Sequence, residues 1–223
     1  MDIEKTFTGL GGTFRVSPAE IKKILPGIKA FVFDWDGVFN NGLKTGDAGS
    51  PFSEIDSMGI NLLRFSTWLK SGSLPYCFII TGMNNSSAAG YAKREHFHGI
   101  VMNLKKKKLA LDIICSNYNI KPSETAFLWD DVIDIEIARA CGLSIYIGRQ
   151  SNPLFRDYVI RDGCYHYITG SSGETHAIRE ITELLIGLNG NFVETIENRV
   201  SFSPLYEKYL YARDQVITDT TLH

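Results

Sequence analysis

Five aspartates of this 223-residue chain fall in two tight clusters, Asp34 with Asp36, and Asp130 with Asp131 and Asp134. Between them lie Thr81-Gly82 and four consecutive lysines, Lys105 to Lys108. Asp34-Trp35-Asp36-Gly37 closes a short apolar run, so its acids stand where a strand gives way to a turn. One carboxylate can face a ligand while the other sits beside it, which suits a nucleophile next to a general acid/base. With a third carboxylate the pair can hold Mg²⁺, a hard cation that prefers oxygen ligands. The competing reading is a DxDG turn whose acids are solvated or capping. In the second cluster, three acids within five residues repel one another unless a cation is near. Helix capping explains Asp131 or Asp134 singly, but poorly explains so acidic an end on a buried strand. Thr81 and Gly82 offer a hydroxyl and a free N–H to an oxyanion, or simply a turn with a capping threonine. Most of the lysines read as a solvated face. The site needs only one of them, to offset phosphate charge and the clustered acids.

The elements that must position these residues follow from hydrophobic runs. Short continuous apolar runs occur at 29–33, 77–80, 99–102, 125–129 and 143–147, with a weaker one at 165–168. Continuous rather than alternating hydrophobicity predicts strands buried on both faces, as in a parallel sheet. Helices are expected over about 57–71, 84–95, 107–118, 131–141 and 175–187. Strand alternating with helix predicts right-handed crossovers and a doubly wound α/β sheet, whose ligand site lies at the carboxyl ends of the strands. Asp34, Thr81, the lysines and Asp130 stand at those ends. The core spans 29–188. Before it, residues 1–28 form an arm with one short helix, started by Ser17-Pro18-Ala19-Glu20. After it, residues 189–223 form a helical extension, with a helix over about 204–215. Residues 39–56, rich in Gly, Asn, Ser and Asp, read as a loop or a flap-like hairpin.

Composition narrows the function. Hydrophobic residues make up 44% and charged residues 22%, a globular balance. The net charge of −2 gives no reason to expect nucleic acid or an anionic membrane as partner. No apolar run approaches the ~18 residues of a membrane span, and the N-terminus carries no apolar signal segment. Cys77, Cys115, Cys141 and Cys164 contain no CxxC pair and are expected to be reduced thiols. A cytoplasmic protein is expected. His96 and His98 form an HxH pair with no third ligand in view, which argues against zinc.

The order FVFDWDGV, FIITG, KKLAL, FLWDDVID resembles the haloacid dehalogenase superfamily of aspartate-nucleophile phosphatases, over about residues 29 to 187. The spacing, 45 residues from Asp36 to Thr81 and 26 from Thr81 to Lys107, leaves no room for a cap domain. The chain is most similar to the capless group of 3-deoxy-D-manno-octulosonate 8-phosphate phosphatases and related sialic-acid-type sugar phosphatases. Asp56 to Ile60, Lys107 to Leu111, Asp130 to Asp134, and Gly173 with Ala177-Ile178-Arg179-Glu180 extend the likeness. The resemblance implies a Rossmann-like core with a flap hairpin, and a Mg²⁺-dependent phosphoric monoester hydrolase of a small phosphorylated sugar or sugar acid. It implies Asp34 as nucleophile and Asp36 as acid, then base. It gives the metal to Asp34, the Asp36 carbonyl and Asp130, with Asp131 close by. Thr81, Gly82 and Lys107, or Lys108 in its place, would bind phosphate, and Asp134 would orient the lysine. It also implies a homotetramer, with a neighbour's tail helping to close the site.

Three positions depart from that group's pattern: Met83 and Ile55 stand where it has arginine, and Trp129 where it has glycine. Two lost guanidiniums remove contacts to an anionic substrate, so a less acidic substrate is compatible. A phosphotransferase, or a regulatory or assembly protein on the same scaffold, are the alternatives. The first usually needs a cap to exclude water, and the second is opposed by the retained Asp34, Asp36 and Asp130.

Overall fold

The structure, a computed structural model, describes residues 2–46, 49–104 and 106–220. Lys105 of the lysine run lies outside them. The central strand β2, Ala30–Asp34, is buried at every position. It pairs in parallel with β3 (Tyr76–Thr81) on one side and β5 (Thr125–Trp129) on the other. That is why its sequence is apolar throughout rather than alternating. β4 (Gly99–Met102) adds to β3, and β6 (Leu143–Tyr146) adds to β5. β7 (Tyr167–Ile168) extends the sheet in parallel, and the two-residue β1 (Thr13–Phe14) closes that edge antiparallel. The order is β1-β7-β6-β5-β2-β3-β4. The chain runs outward from β2 through β3 and β4, then returns to β5 and runs the other way. The switch point therefore lies between β2 and β5, where such sheets bind ligands.

Ten α-helices among the described residues cover the sheet. On one face lie α1 (Ile3–Gly9), α2 (Pro18–Ile24), α3 (Glu54–Ser71), α4 (Ser86–Arg94) and α8 (Ala177–Asn189), around a core that includes Phe33, Trp35, Phe39 and Leu184. On the other lie α5 (Lys107–Tyr118), α6 (Ile135–Ala140) and α7 (Pro153–Asp162), over Val32, Phe127 and Trp129. α9 (Phe192–Val200) and α10 (Pro204–Asp214) complete the chain. Ser17 caps α2 through a capping box with Glu20, as its sequence predicts. The expected helix over 131–141 is divided: a 3-10 turn at Val132–Asp134 precedes α6. Helices α1, α7 and α9 and strand β1 go beyond the elements expected from sequence.

α3 and α8 pack closely because Gly59 lets them approach. A Cβ there would fall 2.4 Å from Thr182 Oγ1. Gly59→Ala is therefore expected to cost about 1–3 kcal/mol through overpacking, read as a lowered melting temperature with the metal affinity unchanged.

Between β2 and α3 the flap runs as an irregular loop rather than a strand pair among its described residues. The Thr45 N–H donates to the Gly49 carbonyl at 2.9 Å. The C-terminal segment is drawn onto its own subunit. Tyr206 and Tyr209 of α10 are buried against Phe65 of α3, and both hydroxyls bond to Asn61. Beyond α10, Asp219 bridges to Gly99, and its carbonyl accepts from the Ile100 N–H at 3.0 Å. This covers the open edge of β4, which would otherwise offer unpaired backbone groups to another chain. No helix among the described residues is long and apolar enough to cross a membrane.

Candidate active site

Strand register brings the acids together. Asp34 ends β2 opposite Ile80, so Thr81 follows one step on along β3. Phe33 lies opposite Leu128, which puts Asp130 just past the end of β5. Asp34, Thr81 and Asp130 are all buried. Carboxylate oxygens of Asp34, Asp130 and Asp134 lie within 4.8 Å of one another.

Lys107 sits among them. Its Nζ is 2.7 Å from Asp34 Oδ1 and 2.8 Å from Asp134 Oδ1, and all three side chains are almost wholly buried. Lys107 opens α5, where the helix dipole disfavours a cation and no side chain caps the turn. The two carboxylates offset that penalty and hold the ammonium charged, raising its pKa against the burial that lowers it. Of the lysine run, Lys107 alone is among the acids in the described residues. Lys108 turns along α5 to pair with Asp112 instead.

Burial raises the Asp34 carboxyl pKa, and Lys107 opposes the shift. Burial, aided by repulsion from Asp34, pushes Asp134 up to about 8. Unfolded, an aspartate titrates near ~4. Between those values the folded state keeps a proton that the unfolded state releases, so this group costs stability as pH rises through the window. Asp134→Asn removes the dependence. In metal-free melts between pH 5 and pH 8, the stability difference is expected to move in the variant's favour as pH rises. A difference that stays constant would contradict this.

Asp131 faces outward. Its carboxylate accepts from the Val132 N–H at 2.7 Å, and Asp134 Oδ2 accepts from the Asp131 N–H at 3.3 Å, a reciprocal cap on the turn after β5. The buried three-acid cluster thus contains Asp134, with Asp131 at its rim. Asp36 stands half-buried at the start of the flap, its carboxylate turned to Ser50 and Lys44. Gly82 has open space where a side chain would project.

Arg149, in the loop after β6, escapes sequence reasoning. Its guanidinium lies against Asp130 Oδ2. Gly37 makes room, with φ +87° and with Asp130 Oδ2 2.1 Å and Arg149 Nη2 2.2 Å from where a Cβ would stand. The Gly in DxDG is therefore required both by backbone conformation and by space.

The other Asp130 oxygen, Oδ1, is buried without a hydrogen-bond partner. An unpaired buried carboxylate oxygen is costly. Among the described residues, the three acids face two cationic side chains, Lys107 and Arg149. An all-oxygen donor set with a free buried carboxylate oxygen fits a hard divalent cation such as Mg²⁺.

Ile55 and Met83 are exposed, 50% and 63%. Trp129 does not narrow the site: it is buried in the core, with Nε1 donating to Ser144 Oγ at 2.8 Å. Asp56 is buried at the base of α8, accepting from the Arg179 N–H at 2.9 Å. The HxH pair serves the fold: His98 Nδ1 accepts from the Cys77 N–H, and burial pushes its pKa down to about 3.

No family model matches the sequence. The chain is 24% identical over 163 residues to the 3-deoxy-D-manno-octulosonate 8-phosphate phosphatase KdsC of Yersinia pestis, covering 71% of this chain and 80% of that protein. It is 26% identical over 174 residues to KdsC of Escherichia coli strain K12, covering 75% and 84%. Among solved structures, a probable YrbI-family phosphatase from Pseudomonas syringae matches with a TM-score of 0.67 at 24% identity, over 81% of this chain and 97% of that one. The octulosonate phosphatase of Moraxella catarrhalis, solved with magnesium, phosphate and a KDO molecule, matches with a TM-score of 0.64 at 26% identity, over 80% and 97%.

Proposed function

We propose that this chain, a haloacid dehalogenase superfamily protein related to the 3-deoxy-D-manno-octulosonate 8-phosphate phosphatases, is a magnesium-dependent phosphatase of a small phosphorylated sugar or sugar acid, working through an aspartyl-phosphate. One observation carries the reading: the buried group of Asp34, Asp130, Asp134 and Lys107, in which Asp130 Oδ1 is left without a partner. A structural ion-pair network would satisfy that oxygen. The magnesium- and phosphate-bound Moraxella relative supports the same assignment.

Asp34 is the nucleophile. Its Oδ forms the bond to phosphorus as the sugar oxygen leaves. Asp36 protonates that oxygen and then takes a proton from the water that cleaves the acyl phosphate. Lys107 and Thr81, with the Gly82 N–H, receive the phosphoryl oxygens, and Asp134 holds Lys107 in place. Asp34, Asp130 and the Asp36 carbonyl are the residues to hold Mg²⁺, with Asp131 close by. The ion supplies charge neutralisation between an anionic nucleophile and an anionic phosphate. Because Ile55 and Met83 are apolar and exposed, the leaving group makes fewer cationic contacts here than in the family pattern, which favours a less acidic sugar. The same reading carries a homotetramer, in which a neighbouring subunit shields the open site from water.

The test is phosphate release from a panel of phosphorylated sugars, octulosonates and nonulosonates, with Mg²⁺ and after chelation. Release that needs Mg²⁺ is expected. A folded, Mg²⁺-binding protein that releases no phosphate across the panel would overturn the reading.

A further inference from the structure

Metal and phosphate binding leave one feature of the site unexplained: the flap takes both oxygens of Asp36. The Ser50 hydroxyl donates to Asp36 Oδ1, and Lys44 Nζ lies 3.2 Å from Asp36 Oδ2. Ser50 is wholly buried, so its hydroxyl has no water to turn to. A hydroxyl has one proton to give, and its lone pairs remain to accept. Here they face Asn85 Nδ2, at 3.5 Å. Asn85 is itself buried and fixed, its Oδ1 accepting from the Ala88 N–H at 3.1 Å as the cap of α4. Gly49 allows this approach: it has φ +78°, and a Cβ there would fall 2.3 Å from Asn85 Oδ1. The loop's base is pinned as well, Asn40 Nδ2 donating to the Pro51 carbonyl at 2.9 Å. A line of hydrogen bonds thus runs from the start of α4 through Ser50 to Asp36.

We propose that Ser50 is a positioning residue which, with Lys44, holds the Asp36 carboxyl where it can reach the leaving-group oxygen. The inference rests on the acid/base reading of Asp36. In the first step the Asp34–phosphorus bond forms, the bond from phosphorus to the leaving oxygen breaks, and the Asp36 proton passes to that oxygen. In the second, the Asp36 carboxylate takes a proton from water as the water oxygen bonds to phosphorus and the Asp34–phosphorus bond breaks. A carboxyl free to rotate would make the first transfer late, and the penalty would fall on leaving groups that depend on protonation.

The test is kcat/KM for p-nitrophenyl, phenyl and p-methoxyphenyl phosphates, since kcat/KM reports the steps through phosphoryl transfer to the enzyme. Ser50→Ala is expected to lose about tenfold on the two poor leaving groups and far less on p-nitrophenyl phosphate. Ser50→Thr, which keeps the hydroxyl, restores the wild-type pattern. Should the buried Ser50→Ala fail to fold, Lys44→Met on the exposed side of the same latch reads it, with a smaller loss in the same order. Equal losses across the series, or none, overturn the proposal and leave the phosphatase reading standing. A folded wild-type protein that releases phosphate neither from these esters nor from any phosphorylated sugar overturns both.

Discussion

Asp34→Asn is expected to keep the fold and lose at least about a thousandfold of phosphate release. An amide is nearly isosteric with the carboxylate but cannot attack phosphorus, and a covalent route has no substitute nucleophile at this position. The side chain is buried at the end of the central strand, and its Oδ1 lies 2.7 Å from Lys107. An amide oxygen can still accept from the ammonium, so packing and the hydrogen bond persist. Rapid-mixing measurement of phosphate release, beside circular dichroism of the same sample, separates chemistry from folding. Turnover within tenfold of wild type would remove Asp34 from the reaction.

Lys107→Met is expected to have the largest effect on stability. It removes the cation that, among the described residues, Asp34 and Asp134 share, leaving two buried carboxyls facing each other. Breaking a buried pair by deleting one partner typically costs about 3–5 kcal/mol, a large part of the 5–15 kcal/mol that holds an average domain together. The loss is expected to shrink toward pH 5, where the acids can take up protons, and to shrink again on adding Mg²⁺. Urea unfolding with and without the metal at two pH values checks this. A cost below about 1 kcal/mol, independent of pH, would mean that the acids do not depend on the lysine.

The parts of this fold legible in the sequence are those fixed by long hydrophobic runs. Strands β2, β3, β5 and β6 are buried on both faces, and their continuous apolar stretches could not serve as surface. Their ends then locate Asp34, Thr81 and Asp130, because in parallel pairing the register follows from where each run stops. Other elements leave weaker traces. β1 has two residues, too short for any period to register. α7 buries only Val159 completely, so its sequence carries little of an apolar stripe. Trp129 occupies a position where the family pattern has glycine, yet its indole is turned into the core beside Tyr146. The two faces of a strand cannot be told apart from one residue's identity.

The site shows the same division. Asp130 and Asp131 are adjacent and alike in sequence, but one enters the buried cluster and the other caps a turn, a difference set by the backbone turning after β5. Lys107 and Lys108 differ only in which side of α5 they occupy. Arg149 and Ser50 belong to loops with no pattern of their own. They reach the acids because Gly37 and Gly49 take up positive φ and leave room beside them. Such residues become visible only when the fold closes the distance.

The most direct test of the account is to quench a turning-over reaction with acid, digest the protein, and weigh the peptide that carries Asp34. A peptide heavier by one phosphoryl group, formed only with substrate and Mg²⁺ and missing in Asp34→Asn, is the predicted result. Phosphate release at full rate with no phosphoryl group on that peptide at any quench time would contradict it.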